Sequence, residues 1–139
     1  MTVLQHGIKI FNYNDMKIVN YQIANKLKNI GFEEGTYHYY NIGDIRYCCD
    51  DYPSDHNVDC LREYEISAPM ISQVLKWLRE EKEVDLVIEP IYFFDENKHR
   101  EYSVRIFAPL LNKPVHCGYF STWEETALSG IEYVIDNLI

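Results

Sequence analysis

"APMISQVLKWLREEKEV", residues 68–84, decides how this chain is organised. Ile71, Val74, Leu75 and Leu78 recur at three- and four-residue intervals with Trp77 beside them, which is one face of a helix. Pro69 suits the first turn, where a missing N–H costs nothing. The period then changes. "DLVIEPIYFF" (85–94) reads as a strand, and Pro90 inside it, unable to donate a hydrogen bond, points to a sheet edge or a bulge. "DENKHR" (95–100) is a turn; "EYSVRIFA" (101–108) alternates, with Tyr102, Val104, Ile106 and Ala108 on one face; "VHCGYF" (115–120) is a third strand.

The chain closes with "STWEETALSGIEYVIDNLI" (121–139). Ser121 with Glu124, or Thr122 with Glu125, forms a capping box. Ala127, Leu128, Ile131, Val134, Ile135 and Leu138 make a broad apolar face, and Gly130 within it marks a close approach of backbone.

Working toward the N-terminus, "DMKIVNYQIANKLKNI" (15–30) places Met16, Val19, Ile23, Leu27 and Ile30 at helical spacing, capped by Asn14 or Asp15 and ended by Gly31. "TYHYYNI" (36–42) and "DIRYCC" (44–49) form a hairpin around Gly43-Asp44; its outward rings are either Tyr37 and Tyr39 or His38 and Tyr40. Residues 50–60 are rich in Asp, Pro, Ser and Asn and read as a loop, followed by a short strand near Tyr64–Ile66. The expectation is an α+β fold with an antiparallel sheet and helices near 15–30, 69–82 and 122–138. A length of 139 residues implies one domain: a helix, hairpin and acidic loop over 1–65, then helix, three strands and helix over 66–139.

Within that frame, "ISAPMISQVLKWLREEKEVDLVIEP" (66–90) and "YFSTWEETALSGIEYVIDNLI" (119–139) resemble a group of small uncharacterised proteins of gut bacteria and their phages. Members share an "APT…V…WLRE" helix start and a "YxTxEEALExGI" final helix. The resemblance covers the last half of the chain and implies a context, without an activity or site residues. The same half has the element order of the double-stranded RNA-binding domain. Where that family places lysines at its last helix, this chain carries Glu124 and Glu125, which repel phosphate.

Thirteen basic against 22 acidic side chains give a net charge of −9, spread over both halves. That balance disfavours direct binding to nucleic acid or to an anionic membrane and favours a protein partner with a basic surface. No run approaches the length of a membrane span, and the N-terminus lacks a signal-peptide core, so a reducing cytoplasm is expected, with cysteines as thiols.

"YCCDDYPSDHNVDC" (47–60) is the densest cluster of chemistry-bearing residues. As a zinc site it offers Cys48, His56 and Cys60. Cys48 and Cys49 are adjacent and point to opposite faces of a strand, and no C-x-x-C pair exists. A small metal-dependent or cysteine-dependent enzyme built on this cluster is the alternative to a protein without cofactor or catalysis. No Gly-rich phosphate loop is present. The expected role is attraction of a basic protein surface by Asp50, Asp51, Asp55 and Asp59, with Tyr47 and Tyr52 supplying aromatic contact.

Overall fold

Helices and antiparallel strands make up most of the computed structural model, which describes residues 2–5, 8–11, 17–42, 46–57 and 64–139. The expected α+β class is observed. Backbone contacts divide the chain into two units, Met1–Met70 and Ile71–Ile139.

The first unit opens with a hairpin that periodicity did not reveal, β1 (Thr2–Gln5) against β2 (Ile8–Phe11). Helix α1 spans Tyr21–Asn29, shorter than the apolar spacing predicts. Asn20 is the cap, its side chain accepting from the Ile23 N–H at 2.9 Å. Ile18 instead pairs with Met70, and the Val19 N–H donates to Pro69 O at 3.0 Å, so the stripe continues as extended chain. The proposed caps Asn14 and Asp15, with Met16, lie outside the described residues. Gly31 follows the helix at φ 91°, a conformation open to glycine without strain.

A three-stranded sheet in the order β4-β3-β5 completes the unit, with β3 (Thr36–Asn41), β4 (Arg46–Ser54) and β5 (Glu65–Ser67). The loop expected over 50–60 is corrected: Asp50–Ser54 continue β4 past a register shift opposite Thr36 and His38. An edge strand accommodates Pro53, because the missing donor would face solvent. Residues 55–57 turn back, and 58–63, with Asp59 and Cys60, lie outside the described residues. Thr36, His38 and Tyr40 are the buried side chains of β3, joined by Ile23, Leu27, Phe32 and Ile66. Burial anchors Tyr40 by a 2.8 Å bond from its hydroxyl to Val19 O and an edge contact with Tyr21.

The second unit follows its sequence closely. Helix α2 spans Ile71–Lys82, with Pro69 just outside its first turn. Strands β6 (Asp85–Phe93), β7 (His99–Phe107) and β8 (Val115–Phe120) form a meander, with Pro90 on the edge strand β6 as expected. His99 and Arg100, assigned to the turn from sequence, pair with Phe93 and Tyr92 and extend β7. Helix α3 spans Trp123–Asn137. Thr122 is its cap, accepting from the Glu125 N–H at 3.1 Å, which selects between the two capping boxes.

Gly130 is buried where α3 meets the sheet. A Cβ there would lie 2.8 Å from Leu86 Cδ2 and 3.1 Å from Val104 Cγ2. Leu86 and Val104 therefore define the helix-facing side of the sheet. The residues alternating with them, Val87, Glu89, Ile91 and Phe93 on β6 and Ser103, Arg105 and Phe107 on β7, point the other way.

Candidate functional site

Alternation along β3 and β4 collects the chemistry of the first unit on one face. Tyr39 pairs with Cys48 and, on its other side, with Ser67; Asn41 pairs with Glu65. The chain leaving β4 folds back over these residues. Asp55 Oδ1 accepts from the Asn57 N–H at 3.0 Å and sets the turn. Asn57 then bridges two segments, donating to Phe32 O at 2.7 Å and accepting from the Ser67 N–H at 3.0 Å. The His56 N–H donates to Ser67 Oγ at 3.1 Å.

His56 is thereby enclosed, its side chain fully buried. Nδ1 lies 2.6 Å from Glu65 Oε2, and Nε2 lies 3.3 Å from Asp50 Oδ2. The Asp50 contact has ion-pair distance without good hydrogen-bond alignment, so Glu65 is the stronger partner. The imidazole stacks on the Tyr39 ring at 4.4 Å. The Tyr39 phenol is pushed up to about 12, first by loss of water and then by the charge and hydrogen bond of Cys48, with Glu65 and Asp50 adding to it. Burial alone lowers His38 on the opposite face.

This arrangement ties the turn to the sheet. Nδ1 of His56 is committed to Glu65 and Nε2 lies at ion-pair distance from Asp50, and the ring forms no ligand group with Cys48. Among the described residues no group of three His, Cys, Asp or Glu is placed to hold a metal ion. Of the ligand set read from sequence, Cys48 and His56 share a face and Cys60 lies outside the described residues. Cys48, Cys49 and Cys117 carry thiols rather than disulfides, with Cys49 exposed.

The acidic binding residues separate. Asp50 contacts His56 and Asp55 shapes the turn. Asp51 lies on β4, as does Tyr47, while Asp59 lies outside the described residues. Tyr52 is exposed. Asn57, Glu65 and Ser67 were not singled out from sequence, and Tyr39 only as one of two alternative outward rings of the hairpin. The alternation that pairs Tyr39 with Cys48 was legible; the return of the chain that brings His56 to Glu65 leaves no periodic signal.

The second unit exposes a different surface, on the sheet side turned away from α2 and α3. Phe93 stacks on His99 at 4.7 Å and meets Tyr119 edge-on at 6.1 Å, and His116 meets Tyr119 at 5.2 Å. These rings span all three strands. Tyr119 is 56% and Val87 37% exposed. The face also carries an Arg105–Glu89 pair at 2.9 Å, with Arg105 over the Phe107 ring. At the adjoining β6–β7 turn Tyr92 and Phe94 stack at 6.4 Å, and Phe94 is 87% exposed.

Comparison of the chain with protein-family models, with curated proteins and with solved structures finds no match. No helix among the described residues is long and apolar enough to cross a membrane.

Proposed function

We propose that this protein acts by binding a protein partner with a basic surface, without catalysis or cofactor. The observation that carries the reading is the exposed ring surface of Phe93, His99, His116 and Tyr119 with Val87 beside it. Aromatic rings on an exposed sheet face supply desolvated contact area, the part of affinity least sensitive to salt. A net charge of −9 supplies long-range attraction, which raises association rate and is screened by salt. Negative charge centred on Asp50, Asp51, Asp55 and Asp59, with Tyr47 and Tyr52, is the proposed steering surface of the first unit. One form of this reading is an inhibitor, encoded by a phage or mobile element, that covers the nucleic-acid-binding site of a host protein in the cytoplasm.

The test is affinity capture from the native cell, followed by association kinetics with the captured protein. A Phe93→Ser/Tyr119→Ser variant is expected to weaken binding at least about tenfold at every salt concentration. An Asp51→Asn/Asp55→Asn/Asp59→Asn variant, with Asp50 kept because it contacts His56, is expected to slow association in low salt only. Unchanged binding by the ring variant sinks the proposal.

A further inference from the structure

The rings on the outer face of the second sheet form a row: His116, Tyr119, Phe93, His99. Successive centroids stand 5.2, 6.1 and 4.7 Å apart. The row is thus no longer than about five residues of polyproline II at ~3.1 Å each. Tyr119 is turned 73° from Phe93 and 63° from His116, so a notch opens on each side of its exposed ring. Phe93 and His99 lie within 10° of parallel and make a flat wall at the end of the row. The strand residues of this face carry three carboxylates, Asp85, Glu89 and Glu101, against one cation, Arg105. Arg105 is engaged by Glu89, and Glu101 stands 4.0 Å from His99, beside the flat wall.

The edges of the sheet suit a partner strand poorly. Pro90 removes a donor from β6. Strand β8 shifts register against β7, and its Gly118, at φ 92°, donates its N–H to His116 Nδ1 at 3.3 Å. Neither edge offers an unbroken ladder. A chain lying across the face instead must keep its own backbone groups hydrated, which polyproline II does and a strand does not. A helix, about 10 Å across with its side chains, is too broad for notches between rings 5.2 and 6.1 Å apart.

We propose that this row of rings receives a proline-rich segment in polyproline II conformation, flanked by Arg or Lys, from the basic protein partner. The inference rests on the reading of a basic partner bound at this ring surface and names the segment that it presents. Pyrrolidine rings fill the notches on either side of Tyr119, at low entropic cost because proline presets the backbone. The flanking cation meets Glu101 and the negative surround of the face.

The experiment uses the full chain, isotope-labelled for NMR, titrated with an acetylated peptide of six prolines followed by two arginines. Saturable shifts are expected at Phe93, His99 and Tyr119, with an affinity on the order of 0.1 mM. A Gly-Ser peptide of equal length with the same two arginines is expected to bind at least about tenfold more weakly. Tyr119→Ser is expected to weaken the proline peptide at least about tenfold, and His116→Ala, which opens one notch only, about threefold. Shifts that fail to saturate, equal binding of the Gly-Ser peptide, or unchanged binding in both variants overturn the proposal. Failure of the peptide while capture still depends on Phe93 and Tyr119 sinks this inference alone; loss of that dependence in capture sinks the broader reading.

Discussion

The two three-stranded sheets resemble each other in size and antiparallel pairing and differ in how they treat the face turned away from their helices. In the second unit the strands pair in sequence order and the outer face is left to solvent, carrying Phe93, His99, His116 and Tyr119. In the first, β5 returns beside β3 and the chain closes its own face, laying His56 over Tyr39 between Asp50 and Glu65. A polar face is thus sealed and an aromatic face is exposed, the reverse of what burial of apolar area alone would select. The sealed face has satisfied most of its polar groups internally. The exposed face retains contact area for another molecule.

The largest expected effect breaks the seal. His56→Ala removes an enclosed ring, its stack on Tyr39 and the partner of Glu65, and should cost about 3 kcal/mol. His116→Ala, on the exposed sheet, should cost no more than about 0.5 kcal/mol. Denaturant unfolding gives the totals. Hydrogen exchange at the Ser67 N–H, which donates to Asn57 Oδ1, reports the seal itself. A His56→Ala cost below that of His116→Ala would show that the turn is not held by the ring.

Next is the helix side of the second sheet. Gly130→Ala improves helix propensity by about 1 kcal/mol. It also drives a methyl to 3.1 Å from Val104 Cγ2, on a branched and fully buried side chain with little freedom to turn away. Overpacking of about 2 kcal/mol should prevail, for a net loss of about 1 kcal/mol in thermal or denaturant unfolding. A stabilised Gly130→Ala would mean that the helix rides over the sheet without consequence.

Smaller effects follow from titration in the first unit. The folded Tyr39 phenol holds its proton to about 12, above its ordinary value of 10.0. Its contribution to stability is complete below pH 10 and declines as pH rises toward 12, because the unfolded chain loses that proton first. Tyr39→Phe should remove both the late step from the tyrosinate absorbance titration and this part of the alkaline decline. His38 acts in the other direction. Burial lowers it from 6.5, so its contribution is present above pH 6.5 and is lost on acidification below it. His38→Gln should flatten that acid limb in pH-dependent unfolding.

What sequence made legible follows the same division. The second unit is almost entirely local: an apolar helix stripe, alternating strands joined in order, Pro90 at an edge and Thr122 with Glu125 at a cap. Each signal lies within a few residues of the structure it sets. In the first unit, Asp50–Ser54 read as loop from their composition, yet pairing with β3 held them as strand. Val19 fits a helical stripe, yet its N–H goes to Pro69, fifty residues on. His56 and Glu65 meet because Asn57 and Ser67 pin a turn, and no spacing rule encodes that contact. Residue types announced that 47–60 held chemistry; only the fold assigned Asp50, His56 and Asn57 to closing a face of the sheet.

The smallest expected change in stability is the most informative about the open face. Tyr119 pairs across the strands with Ser103, which is buried, and its ring touches Phe93 and His116 while remaining more than half exposed. Tyr119→Ser removes two edge contacts and some cover over Ser103, but leaves Leu86, Val104, Ile106 and the α3 packing untouched. The loss should therefore stay near about 0.5 kcal/mol. If the ring surface is retained for a partner, that same substitution should lower partner capture far more than it lowers stability. Unfolding and capture measured on one preparation separate the two. A Tyr119→Ser loss of several kcal/mol with capture intact would make this face part of the protein's own core, and the contrast between a sealed sheet and an open one would then disappear.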